Sequence, residues 1–577
     1  MNLFLDYQKK ILTSLKSLHK KGKVKIPYNF VNFSVELPPK NQKADLSCNA
    51  AMILARINKS SPNNLALIIK EHLLLNFKEF KNIEIAGPGF LNINFHTYFW
   101  KKYLEKIIKA GSKYGSNKES KKKYNIEFVS ANPTGPLHVG HCRGAVLGDA
   151  LSNLLIFNGH KVTKEYYVND YGSQIKKFVN SVYYRILEIK KNKNFPIDRE
   201  DLYPGDYILE IAKKIIKKNS IKNFNNFEKI YNKLEVESLK FSMILISENL
   251  KMLGIKHDKF VYESKLIKNN EVAKTVKKLT IKKYIYSGSL EAPKGEQTKD
   301  WKTRNQLLFK STLFGDDVDR PLQKADGTWT YFAGDMAYHC NKISRKYDVL
   351  INVLGADHSG YTKRIVAATK AISNNKINLI CKVSQLVKLF KKGEPFKMSK
   401  RKGDYITVED LIKQVGKDST RFMMLSRSSD AELDFDFEKV TEKSKDNPVF
   451  YVQYAYARIN SIFRLAKLKI NKKLKLNNKK EFDLNDHETE ILKKIAEWPR
   501  CVEISSNKFE PHRITFYLYQ LVTLFHAYWN LGKVNREFRF ISEDGKLNSS
   551  RLVLLQALSI VIKNGMSILG VSTPRSM

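Results

Sequence analysis

The chain has 577 residues, 42% of them hydrophobic, enough for several packed cores, which excludes a disordered or fibrous protein. Lysine and arginine number 101 against 58 acidic residues, a net charge of +43 that favours a polyanion such as nucleic acid, although a coding bias towards Lys, Asn and Ile supplies part of the same excess. No uninterrupted apolar run reaches the roughly 18 residues of a membrane span, the start Met1-Asn-Leu-Phe-Leu-Asp6 does not read as a secretory signal, and Cys48, Cys142, Cys340, Cys381 and Cys501 are too scattered for a zinc ribbon or a disulfide framework, so a reducing cytoplasm and no membrane are expected.

Residues 1–115 read as a small α+β domain. Helical spacing shows at Tyr7–Leu15 and Ala50–Ala55, and Ile83–Phe95 reads as strand, turn and strand around Gly87-Pro88-Gly89. After a polar linker from Gly111 to Lys123 the pattern becomes α/β across 116–390. Tyr124–Ser130 is a strand, a Pro/Gly turn follows, a helix runs from near Val139 to about Asn158, and Lys161–Val168 is the next strand. Strand, tight turn, helix, strand predicts a βαβ unit and a Rossmann-like, doubly wound parallel sheet. Residues from about 172 to 290 are mostly amphipathic helix and read as an insertion; sheet-like runs resume at Trp329–Phe332 and Val349–Leu354. Residues 391–446 form a connecting segment, and 447–577 read as an all-α domain interrupted by a Lys/Asn-rich loop at Lys467–Lys480.

Two words in this frame carry chemistry. Pro133-Thr-Gly135-Pro-Leu-His138-Val-Gly140-His141 falls at the strand-to-helix turn. A helix N-terminus attracts phosphate, Gly135 and Gly140 permit close approach, and His138 and His141 donate hydrogen bonds as charge develops on phosphate oxygens. The second word, Phe396-Lys397-Met398-Ser399-Lys400-Arg401-Lys402-Gly403, offers compact cations for the β- and γ-phosphates of ATP. In so lysine-rich a chain this word alone also fits an ordinary basic loop. Paired, the two words point to ATP-driven activation.

The pair resembles the two signatures of class I aminoacyl-tRNA synthetases. The words Glu127-Phe-Val-Ser130-Ala-Asn132-Pro-Thr-Gly-Pro, Glu165-Tyr-Tyr-Val-Asn169-Asp170-Tyr-Gly, Tyr203-Pro-Gly-Asp-Tyr207, Tyr331-Phe-Ala-Gly-Asp335-Met-Ala-Tyr338-His339, Gly355-Ala-Asp357-His358-Ser-Gly-Tyr361 and Asn447-Pro-Val-Phe-Tyr-Val-Gln453-Tyr454-Ala-Tyr-Ala-Arg458 resemble the arginyl branch of that family, bacterial type, over almost the whole chain. The resemblance implies catalytic roles for His138, His141, Lys397 and Lys400. It implies ATP contacts also at Gly140, Gly355, His358, Met398 and Ser399, and an arginine pocket of Glu127, Ser130, Asn132, Tyr331 and Asp335. A guanidinium is planar and permanently charged, so carboxylates and a stacking aromatic suit it. For Asp335 a helix cap or a surface charge is the competing reading, and for His358 a structural histidine.

The resemblance further implies an N-terminal domain that binds the tRNA elbow, with Phe90 and Asn92 against a base, and an anticodon-binding C-terminal domain with Tyr454 and Arg458 in contact with tRNA. Phe90 and Asn92 read equally well as a core Phe and a turn Asn. His512, Tyr528 and Trp529 are further candidates, although most aromatics there recur at helical, core-facing spacing. The partners implied are tRNA(Arg), L-arginine and ATP with Mg²⁺ borne by the nucleotide; no protein metal site is expected, and a cytoplasmic monomer is. The family generally activates arginine only with tRNA bound. Many of its members lack the second lysine of the KMSK word, whereas this chain keeps Lys400. A cysteinyl-type synthetase would want clustered zinc ligands. A smaller carboxylate-activating ligase would have no use for the end domains. A non-catalytic RNA-binding relative would not need His138, His141 and Lys397 intact.

Overall fold

The computed structural model describes residues 2–39, 41–117, 121–290, 305–396, 406–474, 476, 482–541 and 548–577. Two compact units divide the chain: residues 119–442 with 569–571, and residues 1–118 with 443–568 and 572–577.

The first unit is built on a five-stranded, all-parallel sheet in the order Asn378–Ser384, Val349–Gly355, Lys123–Glu127, Lys161–Val168, Lys259–Tyr262. Parallel strands covered on both faces are mostly apolar, and Val349–Val353, with Asn352 as its one polar residue, and Tyr166–Val168 are buried without interruption. The chain opens the sheet in its middle at Lys123–Glu127, adds Lys161–Val168 and Lys259–Tyr262 on one side, then returns to build the other side. That reversal leaves a crevice at the carboxyl ends of Lys123–Glu127 and Val349–Gly355, where open α/β sheets bind ligands. Helix Val139–Phe157 follows the first strand after the Pro/Gly turn, as expected, and is buried on most of its faces. Gly148 lets it lie close: a Cβ there would stand 2.2 Å from Phe128 Cγ.

Two expectations change. Trp329–Phe332 is not a strand. Thr330 Oγ1 accepts a hydrogen bond from Ala333 N at 3.3 Å and caps helix Tyr331–Ser344, so capping overrides the β preference of the aromatics; Trp329 makes only an isolated bridge with Gln323. The stretch read as an insertion holds helices Ser173–Lys191, Asp206–Lys218 and Phe227–Met252 around a shared core that includes Phe178, Ile186, Ile211 and Leu234. Its later part, however, supplies Lys259–Tyr262, an edge strand of the main sheet. A smaller sheet pairs Val387–Lys391 with Glu394–Pro395 and, in parallel, with Leu433–Asp436.

The second unit joins the two ends of the chain. An antiparallel sheet in the order Val35–Glu36, Leu46–Cys48, Phe90–Phe95, Phe80–Ala86 carries helices Leu3–Lys20, Ala50–Asn58, Pro62–Asn76 and Thr97–Ala110. Helices Pro448–Leu465, Asp486–Ala496, Trp498–Lys508, His512–Val534 and Ser549–Leu569 form the helical part. Buried Trp498 seals the join: its Nε1 donates to Tyr114 O at 2.9 Å, and Tyr114 Oη donates to Ile495 O at 3.0 Å. Ser549–Leu569 is apolar and long enough to cross a bilayer, but 83% of its most apolar window is buried in the protein, and Gly565 brings it against Leu518.

Gly148→Ala is expected to destabilise the first unit by about 1–3 kcal/mol through overpacking against Phe128. A lower urea midpoint checks it; an unchanged midpoint would mean that the helix relaxes freely.

Candidate active site

The crevice is lined first by the turn that ends Lys123–Glu127. Val129 and Ser130 take left-handed backbone angles, φ 71° and 41°, conformations that cost about 1–3 kcal/mol each for non-glycine residues and persist where surroundings impose them. The turn sets Ser130 Oγ between two partners: it donates to Glu127 Oε1 at 3.0 Å and accepts from Tyr167 N at 3.1 Å. Asn132, exposed, donates to Gln174 Oε1 at 2.8 Å and accepts from Asn169 Nδ2 at 3.1 Å. Tyr207 closes over the Pro-Thr-Gly turn, donating from Oη to Thr134 O at 2.9 Å, and a Cβ on Gly135 would press its ring at 3.1 Å.

Next comes the histidine pair at the start of helix Val139–Phe157. Gly140 N donates to His138 Nδ1 at 3.1 Å, and His138 N donates to His141 Nδ1 at 3.4 Å. Both Nδ1 atoms are therefore acceptors, so each neutral ring carries its proton on Nε2. The ring centroids lie 3.9 Å apart. Burial lowers both pKa values, that of His141 to about 4 with His138 as a further cause, so both rings are neutral donors at physiological pH. Gly140 is required here, since a Cβ would come within 2.9 Å of His138 Cε1.

Behind the turn runs a buried polar chain. The Lys342 ammonium, with a fully buried side chain, donates to Glu127 Oε2 and, at 2.9 Å, to Asn352 Oδ1. Asn352 Nδ2 donates to His339 Nε2 at 3.0 Å, and His339 Nδ1 donates to Asp335 O at 2.8 Å. Burial, then Lys342, pushes His339 down to about 3, so the ring is neutral and its tautomer is set. Glu127 is thus held on both oxygens, by Lys342 and by Ser130.

The crevice is acidic around Tyr167. Burial, then Glu263, Asp335, Glu127 and Asp170, raises its phenol far above the ordinary value. Asp335 Oδ2 accepts from Tyr361 Oη. Burial raises Asp335 to about 6, with Glu127 adding to it and the Tyr361 bond and Lys342 opposing. Glu263 opens the short helix Glu263–Lys268 after the edge strand; it is buried, and its Oε2 has no hydrogen-bond partner among the described residues. Burial, then Asp335 and Asp170, raises it to about 7. Asp170 is itself satisfied by Ser264 N at 2.8 Å and Ser264 Oγ at 2.6 Å. Glu263, buried, and Asp335, half-buried, are therefore electrostatically coupled carboxyls without an ion-pair partner among the described residues, a setting that favours a cation with several donors.

The other singled-out residues fall as follows. Tyr331 shares the first helical turn with Asp335 but is 67% exposed, with the Lys324 ammonium 5.4 Å from its ring centroid. Gly355 ends its strand, where a Cβ would meet Asp357 Oδ1 at 2.4 Å. His358 is exposed, 3.4 Å from Asp357 Oδ2. Lys397, Met398, Ser399 and Lys400 lie outside the described residues. In the second unit Phe90 is half-buried, and Asn92 is buried with its amide donating to Gln42 Oε1 at 2.6 Å. The Arg458 guanidinium stacks over Tyr454 at 4.1 Å and Trp529 at 4.9 Å and donates to Tyr454 Oη and His526 Nδ1. Tyr528 is core, bonded to Glu488, and His512 is half-buried. The sequence reading missed Glu263 and Lys342. A carboxylate directly after the apolar run Phe260-Val261-Tyr262 is the signal for the first; nothing distinguishes Lys342 among so many lysines.

Residues 103–461 match the family model for the catalytic domain of class I tRNA synthetases (R), residues 6–95 that for the arginyl tRNA synthetase N-terminal domain, and residues 452–577 that for the DALR anticodon binding domain. The chain is 56% identical to the arginine–tRNA ligase of Pelagibacter ubique and 44% identical to that of Ruegeria pomeroyi, each alignment covering 100% of both chains. Among solved structures, the Thermus thermophilus arginyl-tRNA synthetase superposes with a TM-score of 0.70 at 18% identity over 100% of both chains, which shows a shared fold.

Lys342→Met is expected to destabilise the first unit by about 3–5 kcal/mol, because it leaves Glu127 buried without its cation. Urea unfolding checks this, and a loss below about 1 kcal/mol would mean that Glu127 finds water or another partner.

Proposed function

The chain belongs to the arginyl-tRNA synthetases, class I aminoacyl-tRNA synthetases, and on that premise we propose which of its residues carry the reaction. It ligates L-arginine to tRNA(Arg) with ATP, releasing AMP and pyrophosphate. The arginine carboxylate attacks the α-phosphate in line, giving arginyl-adenylate and pyrophosphate; the terminal ribose hydroxyl of tRNA then attacks the carbonyl and AMP leaves. Such displacements need positioning and charge neutralisation more than covalent help.

The observation that carries the assignment of residues is the carboxyl pair Glu263 and Asp335. A guanidinium between them supplies the missing positive charge and pairs the unpartnered Oε2 of Glu263. Tyr331, exposed on the same turn as Asp335, stacks on its plane. Glu127, Ser130 and Asn132 receive the amino and carboxyl end. His138 and His141 donate from Nε2 to phosphate oxygens, beside Gly140 at the helix N-terminus. Gly355 and His358 meet the adenosine, and Lys397 and Lys400, flanked by Met398 and Ser399, neutralise the departing pyrophosphate. Among the described residues no group of three or more His, Cys, Asp or Glu is placed to hold a metal ion; Mg²⁺ belongs to the ATP substrate. Phe90, Tyr454 and Arg458 face tRNA, whereas Asn92, buried and bonded to Gln42, is left without a surface to offer it. The enzyme works as a cytoplasmic monomer away from membranes.

Protonating either carboxyl removes charge that the guanidinium needs. Arginine affinity, measured by calorimetry with tRNA present, is therefore expected to fall as pH drops through about 7 and then about 6, and binding in that window to release protons. Glu263→Gln is expected to weaken arginine binding by about 2–5 kcal/mol and to remove the upper part of the pH dependence. A pH-independent affinity, or a variant that binds arginine normally, contradicts the pocket.

Lys400→Ala is expected to slow arginine-dependent ATP–pyrophosphate exchange by roughly tenfold or more. An unchanged rate would remove Lys400 from the pyrophosphate site.

A further inference from the structure

Arg143 lies two residues after His141 on helix Val139–Phe157, yet it is only 2% exposed. Among the described residues its guanidinium donates to backbone carbonyls alone: to Gln385 O at 2.9 Å, Ser428 O at 2.8 Å and Ala431 O at 2.7 Å. Arg427 and Asp430 act on its charge in opposite senses. A buried charge with no carboxylate bonded to it is expensive, so the geometry it enforces needs a reason.

The three carbonyls come from two separate segments. Gln385 lies just before strand Val387–Lys391; Ser428 and Ala431 lie just before strand Leu433–Asp436, and these strands pair in register from Val387 with Leu433 to Phe390 with Asp436. One side chain of the histidine helix therefore ties together the segments that lead into two paired strands of the small sheet, its middle strand Val387–Lys391 and the edge strand Leu433–Asp436. The chain leaves that sheet through Glu394–Pro395 immediately before Phe396 and Lys397. On the far side of residues 397–405 a second attachment stands: Val139 N donates to Ile406 O at 3.0 Å and Val408 N donates to Leu137 O at 2.8 Å, bridging His138 to Thr407. Both flanks of the lysine word are thus tied to the histidine turn, one by backbone pairing and one by Arg143.

We infer that Arg143 is a positioning residue of adenylate formation, fixing the small sheet, whose strands Val387–Lys391 and Glu394–Pro395 lead into the lysine word, against the helix of His138 and His141. This rests on the synthetase reading above. Arginine is suited to the task because its planar fork reaches several acceptors at once; a lysine ammonium is a single point and does not span both segments. The residues proposed for the guanidinium, Glu263, Asp335 and Tyr331, sit on other elements, so loss of Arg143 acts on phosphate chemistry and spares the arginine pocket.

The test is tRNA-dependent ATP–pyrophosphate exchange by the full chain and by Arg143→Lys, with KM values for arginine, ATP and pyrophosphate and a thermal melt of each protein. The expected result is a kcat lower by roughly tenfold to a hundredfold, a raised KM for ATP or pyrophosphate, and a KM for arginine within about twofold of the unsubstituted chain. Where Arg143→Lys does not fold, Arg143→Met, which removes the charge and keeps the length, carries the same test. An unchanged kcat, or an arginine KM that worsens along with it, overturns the inference. If the unsubstituted chain itself shows no arginine-dependent exchange, the synthetase reading falls and takes this inference with it. If that chain exchanges and the variant exchanges equally well, only the inference falls.

Discussion

A lysine ammonium with no access to water governs the arrangement of the site. Lys342 projects from helix Tyr331–Ser344 and must find anionic or carbonyl partners, and it finds Glu127 at the end of one strand and Asn352 in the next. Asn352 passes the constraint to His339, and His339 to the backbone of Asp335. Two strands and one helix are thereby locked at the point where the sheet reverses its direction of growth. Removing the charge from that chain would leave Glu127 without its cation and Asn352 without its donor, which is how a side chain that touches none of the proposed phosphate ligands bears on the pocket.

The same lysine leaves a deficit. Glu127, Asp170, Glu263 and Asp335 all act on Tyr167, and Lys342 pairs directly only with Glu127. Asp170 is quieted by Ser264. Glu263 and Asp335 remain, and their pKa values are raised first by burial and then by neighbouring carboxylates, Asp335 and Asp170 on Glu263 and Glu127 on Asp335. A net charge of +43 overall thus coexists with a local cluster of carboxyls around Tyr167, of which Lys342 pairs with Glu127 alone. On this reading the basic surface is matched to tRNA and the acidic cluster to arginine, so these two of the three substrates are sorted by electrostatics of opposite sign.

Much of this was legible in the sequence because it depends on local rules. The strand, glycine turn and helix around His138 are dictated by short-range patterning. Where short-range rules compete, the reading failed: Thr330 as a cap outweighed the aromatic run from Trp329 to Phe332. Glu263 was hidden for a different reason. It follows a four-residue strand at the end of a long lysine-rich helical stretch, and only tertiary pairing with Lys161–Val168 shows that this strand belongs to the main sheet. Lys342 and Arg143 were invisible because burial, not identity, makes them unusual, and burial of a single cation in a chain with 101 of them leaves no mark in sequence.

The most direct test compares arginine with citrulline, its neutral isostere, in tRNA-dependent ATP–pyrophosphate exchange by the unsubstituted chain. The two differ in the charge that Glu263 and Asp335 are proposed to require. Exchange with arginine and a loss of at least about a hundredfold in kcat/KM with citrulline is the expected result. Comparable exchange with both would contradict the claim that the Glu263 and Asp335 carboxyls select the substrate by its charge.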